Sequence, residues 1–122
     1  MTKKVLIADD EQNIVISIEF LMKREGFTVL VARDGEEAMA RIRADRPDLV
    51  LLDVMMPKKN GYEVCQAIKS DPELAATRIL MLTAKGRDTE VAKGLAIGAD
   101  AYMTKPFATR DLVAKSRELL GL

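Results

Sequence analysis

Five residues of this sequence have side chains whose chemistry could combine. Asp9, Asp10, Asp53, Thr83 and Lys105 each stand at or just past the end of a short apolar run. Three carboxylates in one small space resist ionising together unless a cation joins them. Oxygen-only ligands with open positions suit Mg²⁺, which keeps some waters and binds through one or two carboxylates plus phosphate oxygens. Ca²⁺ fits less well, because no all-protein oxygen cage is visible, and soft metals find no ligands. An ammonium and a hydroxyl beside such a cation complete the parts of phosphoryl transfer, which needs charge neutralised around the phosphoryl oxygens and a nucleophile in line. A carboxylate can be that nucleophile and become an aspartyl phosphate. The chain has no histidine, which removes Ser-His-Asp and Cys-His catalysis and most zinc sites.

Taken singly, most of these residues have a plain structural reading. An acid after a strand is often a helix N-cap, as Asp10 could be. A lone Thr83 is more often a turn hydroxyl, and a lone Lys105 a solvated charge. Asp53 resists this treatment. It lies near the end of the stretch Leu49–Val54, in which the other five of six residues are apolar. A carboxylate ending so apolar a strand is costly unless it is paired or metal-bound.

The elements that must position these residues alternate regularly. Apolar runs at Val5–Ala8, Thr28–Ala32, Leu49–Asp53, Ile79–Thr83 and Ala101–Thr104 read as strands,. Helical spacing fills the intervals. Ile14, Ile18, Leu21 and Met22 mark a first helix that Gly26 stops,. Asp34 and Glu37 have capping-box spacing before a second helix carrying Ala38, Met39 and Ile42,. Val64, Cys65 and Ile68 belong to a third. Asp88 caps a predicted fourth, with Val91 and Leu95, ending at Gly98; Thr109 caps a fifth, with Leu112, Val113, Leu119 and Leu120 inward,.

Five β-then-α units imply a parallel sheet covered by helices on both faces, and one order open to such a sheet is that of the flavodoxin-like three-layer sandwich, 2-1-3-4-5. Ligands bind outside the carboxyl ends of such strands. In that order strands one, three, four and five are neighbours, so their polar ends form one pocket. Asp53 then lies on the central strand opposite Thr83 and Lys105, as the acceptor. Asp9 and Asp10 form an adjacent pair suited to holding metal.

Bulk properties agree. The length suits one domain spanning residues 1–122, with no length left for a second,. Lys+Arg and Asp+Glu are both 19, so a net charge of zero gives no support to nucleic-acid binding,. No run approaches the ~18 apolar residues of a membrane span. The single Cys65 forms no internal disulfide and no signal segment precedes the first strand, so a cytoplasmic setting is expected,.

The sequence resembles a response-regulator receiver domain of the CheY type, from Lys4 to about Leu120. The resemblance is carried by "VLIADDE", "LVLLDVMMPKKNG", "LTA" at Leu82–Ala84 and "GADAYMTKPF" at Gly98–Phe107. Thirty residues from Asp53 to Thr83 and twenty-two more to Lys105 fit it as well. The resemblance implies that Asp53 accepts a phosphoryl group from a phosphohistidine on a sensor histidine kinase or histidine phosphotransfer protein. It implies Mg²⁺ on Asp10, Asp53 and the backbone carbonyl of Met55, with Asp9 acting through water. It implies that Thr83 turns inward to the phosphoryl group, that Tyr102 changes rotamer with it, and that Lys105 pairs with a phosphoryl oxygen. The Lys105-Pro106 bond is expected cis. Self-catalysed phosphorylation and dephosphorylation are expected, with Met55 and Lys85 flanking the approach of hydrolytic water. The output would leave through the face of the fourth helix, fifth strand and fifth helix toward an effector. Lys93, Asp100 and Asp111 could supply part of a weak homodimer contact there, although Ala101 replaces a second acid.

Three other readings compete with this one. A haloacid-dehalogenase-type phosphatase needs an acid two past its nucleophile, where this chain has Met55. A non-phosphorylated binding scaffold on the same fold has no need of the five costly polar residues. A flavin-binding reading meets Asp9-Asp10-Glu11 where a phosphate loop would be.

Overall fold

A computed structural model describes residues 2–84 and 98–122. The chain runs β1 (Lys4–Ala8), α1 (Gln12–Arg24), β2 (Thr28–Ala32), α2 (Gly35–Asp45), β3 (Leu49–Asp53), α3 (Gly61–Ser70), β4 (Arg78–Ala84), β5 (Ala101–Lys105) and α4 (Thr109–Leu119). Here α4 is the fifth helix expected from sequence. The expected fourth, with Asp88, Val91 and Leu95, lies outside the described residues, as do Lys85 and Lys93.

The five strands form one parallel sheet in the order β2-β1-β3-β4-β5. Strand alternation divides the core between its two faces. Leu6, Val50, Leu52, Ile79 and Met81 meet Met39 and Ile42 of α2 and Val64, Cys65 and Ile68 of α3. Val5, Ile7, Leu49, Leu51, Leu80 and Leu82 meet Ile18, Leu21 and Met22 of α1 and Leu112 of α4. Every residue of β3 is buried, as expected of a central strand,.

Helix ends follow local chemistry, with two corrections to the sequence reading. Asp34 caps α2 by accepting from the Glu37 N–H at 2.8 Å. Glu37 does not complete the box, because its carboxylate reaches the Arg33 N–H at 3.2 Å instead. The full capping box is on α3, where Asn60 accepts from the Glu63 N–H at 3.0 Å and Glu63 accepts from the Asn60 N–H at 3.2 Å,. Thr109 is not a cap. The Leu112 N–H already bonds the Ala108 carbonyl at 3.1 Å, so α4 begins one residue earlier and Ala108 is its N-cap. Gly26 follows α1 with φ +92°, the left-handed stop that its sequence position predicts,.

Candidate functional site

The carboxyl ends of β1, β3, β4 and β5 bring the expected residues together. Ala8 pairs in register with Leu52, so Asp9 comes alongside Asp53. Asp53 pairs with Leu82, Thr83 with Thr104, and Ala84 with Lys105. The alternation that sends Val5 and Ile7, Leu49 and Leu51, and Ala101 and Met103 toward α1 and α4 continues to Asp9, Asp53 and Lys105. Thr83 follows Ile79 and Met81 toward the opposite face, where Tyr102 packs as a partly buried neighbour of the core.

The acids differ in setting. Asp9 is completely buried, Asp53 nearly so, and Asp10 is exposed. Carboxylate oxygens of all three lie within 4.8 Å of one another. Lys105 enters this group from β5. Its Nζ lies 2.9 Å from Asp9 Oδ2, 3.0 Å from Glu11 Oε1 and 3.5 Å from Asp53 Oδ1. The other Asp9 oxygen accepts from the Glu11 N–H at 2.9 Å. Asp53 Oδ1 accepts from the Met55 N–H at 3.3 Å.

Electrostatics follow from this crowding. Burial, then the neighbouring Asp9 charge, pushes the Asp53 carboxyl up to about 7, against the pull of Lys105 and the Met55 N–H,. Burial works to lower Lys105, but its hydrogen bonds to Asp9 and Glu11 and the nearby Asp53 charge outweigh it, so the ammonium is held more firmly than usual. Among the described residues one cation stands among several acids, which leaves this group short of positive charge. The donors are carboxylate oxygens alone, without sulfur or imidazole, which is the chemistry of a hard divalent ion such as Mg²⁺,. The residues present fit that ion.

The Thr83 hydroxyl is buried and has no hydrogen-bond partner among the described residues. An unsatisfied buried hydroxyl is costly, and this one stands at the carboxyl end of β4, the strand paired with the one that ends in Asp53. The loop after Asp53 is fixed from two sides. A β-carbon on Gly61 would collide with the Asp53 carbonyl oxygen, and one on Gly35 with the backbone of Lys59,. Gly61 N–H donates to the Val54 carbonyl at 2.9 Å, and Gly35 N–H to that of Pro57 at 3.3 Å. Met56 turns into the core while the Met55 side chain stays exposed at the lip. The Lys105-Pro106 peptide is cis.

Three features were missed in the sequence. Glu11 contacts Lys105, and no local pattern reports an ion pair between residues so far apart in the chain. The close approaches of Gly35 and Gly61 were also missed; isolated glycines at loop-to-helix junctions are the available signal,. The α3 capping box was legible as Asn60 and Glu63 at the required spacing,. Asp100, read as a candidate contact between copies, is committed within its own chain. It accepts from Lys69 at 3.1 Å, from Arg78 at 3.4 Å and from the Ile79 N–H at 2.7 Å.

Residues 5–117 match the response regulator receiver domain. The chain is 43% identical over 120 residues to the alkaline phosphatase synthesis transcriptional regulatory protein PhoP of Bacillus subtilis (strain 168), covering 98% of this chain and 49% of PhoP. It thus spans about half the length of that curated relative. A CheY-like response regulator receiver domain protein from Methanospirillum hungatei JF-1 superposes with a TM-score of 0.93 at 30% identity, over 99% of this chain and 95% of that one. The BeF3-activated DrrB receiver domain superposes with a TM-score of 0.90 at 32% identity, over the whole of both chains. No described helix is long and apolar enough to cross a membrane.

Proposed function

The chain belongs to the response regulator receiver domain family, and from that membership we propose that Asp53 is its phosphoacceptor. The phosphoryl group would come from a phosphohistidine of a sensor histidine kinase or a histidine phosphotransfer protein, in the cytoplasm. The observation that carries this reading is the convergence of the Asp9, Asp10 and Asp53 carboxylates within 4.8 Å beside the Lys105 ammonium.

The ionised Asp53 carboxylate attacks phosphorus; the P–O bond forms as the P–N bond to the donor imidazole breaks. Asp10, Asp53 and the Met55 carbonyl would hold Mg²⁺, and Asp9 would act through a bound water. Mg²⁺, when bound, neutralises the charge of the transferring phosphoryl oxygens. Lys105 takes one of those oxygens, and the Thr83 hydroxyl donates to another, which would give its buried oxygen the partner it lacks among the described residues. Turnover of the acyl phosphate by water would return the site to rest.

The signal leaves by a population shift. Thr83 and Tyr102 lie on adjacent strands and share a face, so an inward move of Thr83 opens room for the Tyr102 ring. Tyr102 also lines a groove of about 600 Å³ between β5 and α4, with Pro106, Phe107, Ala108, Asp111 and Lys115. That groove is the proposed effector face.

The test is phosphoryl incorporation from phosphoramidate with Mg²⁺. Wild type should gain one acid-labile phosphoryl group, and Asp53→Asn should gain none. Persistent labelling of Asp53→Asn would move the acceptor elsewhere, and an unlabelled wild type would favour the scaffold reading.

A further inference from the structure

The Lys105 ammonium has three protons to donate, and among the described residues three carboxylates claim it. Asp9 is completely buried and the Asp53 side chain is 7% exposed, whereas the Glu11 side chain is 58% exposed. Withdrawing the cation from a buried carboxylate leaves an uncompensated charge, which is expensive. Releasing an exposed carboxylate to water costs little. Of the three, Glu11 is therefore the partner that can leave.

Its root is nevertheless fixed. Glu11 is the N-cap of α1, with extended backbone (φ −84°, ψ 101°), and its N–H is held by Asp9 Oδ1 at 2.9 Å. The residues that cap from this position are the short Asp, Asn, Ser and Thr, and the longer Glu11 side chain makes no such bond. Its carboxylate turns instead to Lys105, at 3.0 Å.

On the reading of Asp53 as phosphoacceptor, we infer that Glu11 is a positioning residue that holds Lys105 at rest in place of a phosphoryl oxygen. When Asp53 gains its phosphoryl group, the ammonium passes from Glu11 to the new oxygen, and Glu11 is released to solvent. Glu11 thus opposes the modified state and sets how readily the site accepts it.

The experiment is a titration of the whole chain with beryllofluoride at saturating Mg²⁺, followed by backbone NMR shifts, with wild type, Glu11→Gln and Glu11→Asp. Glu11→Gln keeps the shape and removes the charge. Glu11→Asp keeps the charge and withdraws it from contact. Both variants should bind the mimic about two- to fivefold more tightly than wild type, the scale of one exposed ion pair. The Lys105 ammonium resonance should shift in both variants before any mimic is added. Unchanged or weaker binding by Glu11→Gln overturns the inference. So does tightening confined to Glu11→Gln, because net charge rather than the contact would then be the cause. A wild type without an Asp53-dependent response would instead remove the phosphoacceptor reading, and this inference with it.

Discussion

Two partly buried lysines organise opposite regions of the sheet, and they do so differently. Lys69, 18% exposed, donates to the Ala75 and Thr77 carbonyls at 3.2 and 2.8 Å and to Asp100 at 3.1 Å. Asp100 in turn receives Arg78 and the Ile79 N–H. One acid meets two cations and a backbone donor, and every charge has an answer. Lys105, 15% exposed, faces Asp9, Glu11 and Asp53, with Asp10 close behind. Among the described residues, one cation here answers several acids. The geometry of the two lysines is similar; the surplus of negative charge among the described residues is what separates a structural brace from a candidate cation site. A Lys–Asp pair is therefore informative only when the remaining charges around it are counted.

The largest effect should come from removing the surplus. The Asp53 carboxyl, near 3.8 when unfolded, rises to about 7 in the fold. The folded chain therefore holds that proton more tightly, and the stability this contributes is complete below about pH 3.8 and lost as pH rises through 7. Asp53→Asn escapes the loss. In metal-free buffer it should exceed wild type by on the order of 3 kcal/mol at pH 8, with the gap closing toward pH 4. Urea denaturation across that range measures it, and a gap that widens at low pH would contradict the account. Lys69→Ala should act in the other direction. It strips two carbonyls and Asp100 of a donor and should cost about 2 kcal/mol. Because the balanced brace is separate from the acids, mimic binding by the folded Lys69→Ala chain should stay at the wild-type level.

The same contrast explains what the sequence disclosed. Strand bounds were legible to within one residue because the apolar runs stand out: Thr28–Ala32 and Leu49–Asp53 match residue for residue, while Lys4 joins β1, Arg78 and Ala84 join β4, and Lys105 joins β5. The parallel order then brought Asp9, Asp10, Asp53, Thr83 and Lys105 to one edge. What stayed hidden was the difference between like neighbours. Asp9 and Asp10 are the same residue type side by side, yet one is fully buried and the other exposed, because successive residues leaving a strand point to opposite sides. The Glu11 contact with Lys105 and the internal commitment of Asp100 are likewise products of tertiary register. The Thr109 expectation failed because cap preference alone cannot choose between Ala108 and Thr109 when the backbone hydrogen bond from Leu112 already decides the first turn.

The smallest effect concerns the metal, and it gives the finest test of the contrast. A ligand that binds only the folded chain stabilises it by mass action, so Mg²⁺ at tenfold its dissociation constant should add about 1.4 kcal/mol to wild type. If Asp53 supplies both a ligand and much of the surplus charge, the increment should fall by at least half in Asp53→Asn at the same Mg²⁺ concentration. Lys69→Ala should keep the full increment, since its acid and cations lie outside the three-carboxylate cluster. Thermal melts with and without Mg²⁺ on the three proteins read this directly. Equal increments in all three would mean that the ion binds without Asp53, and the charge surplus at the end of β3 would then have to be answered by Lys105 alone.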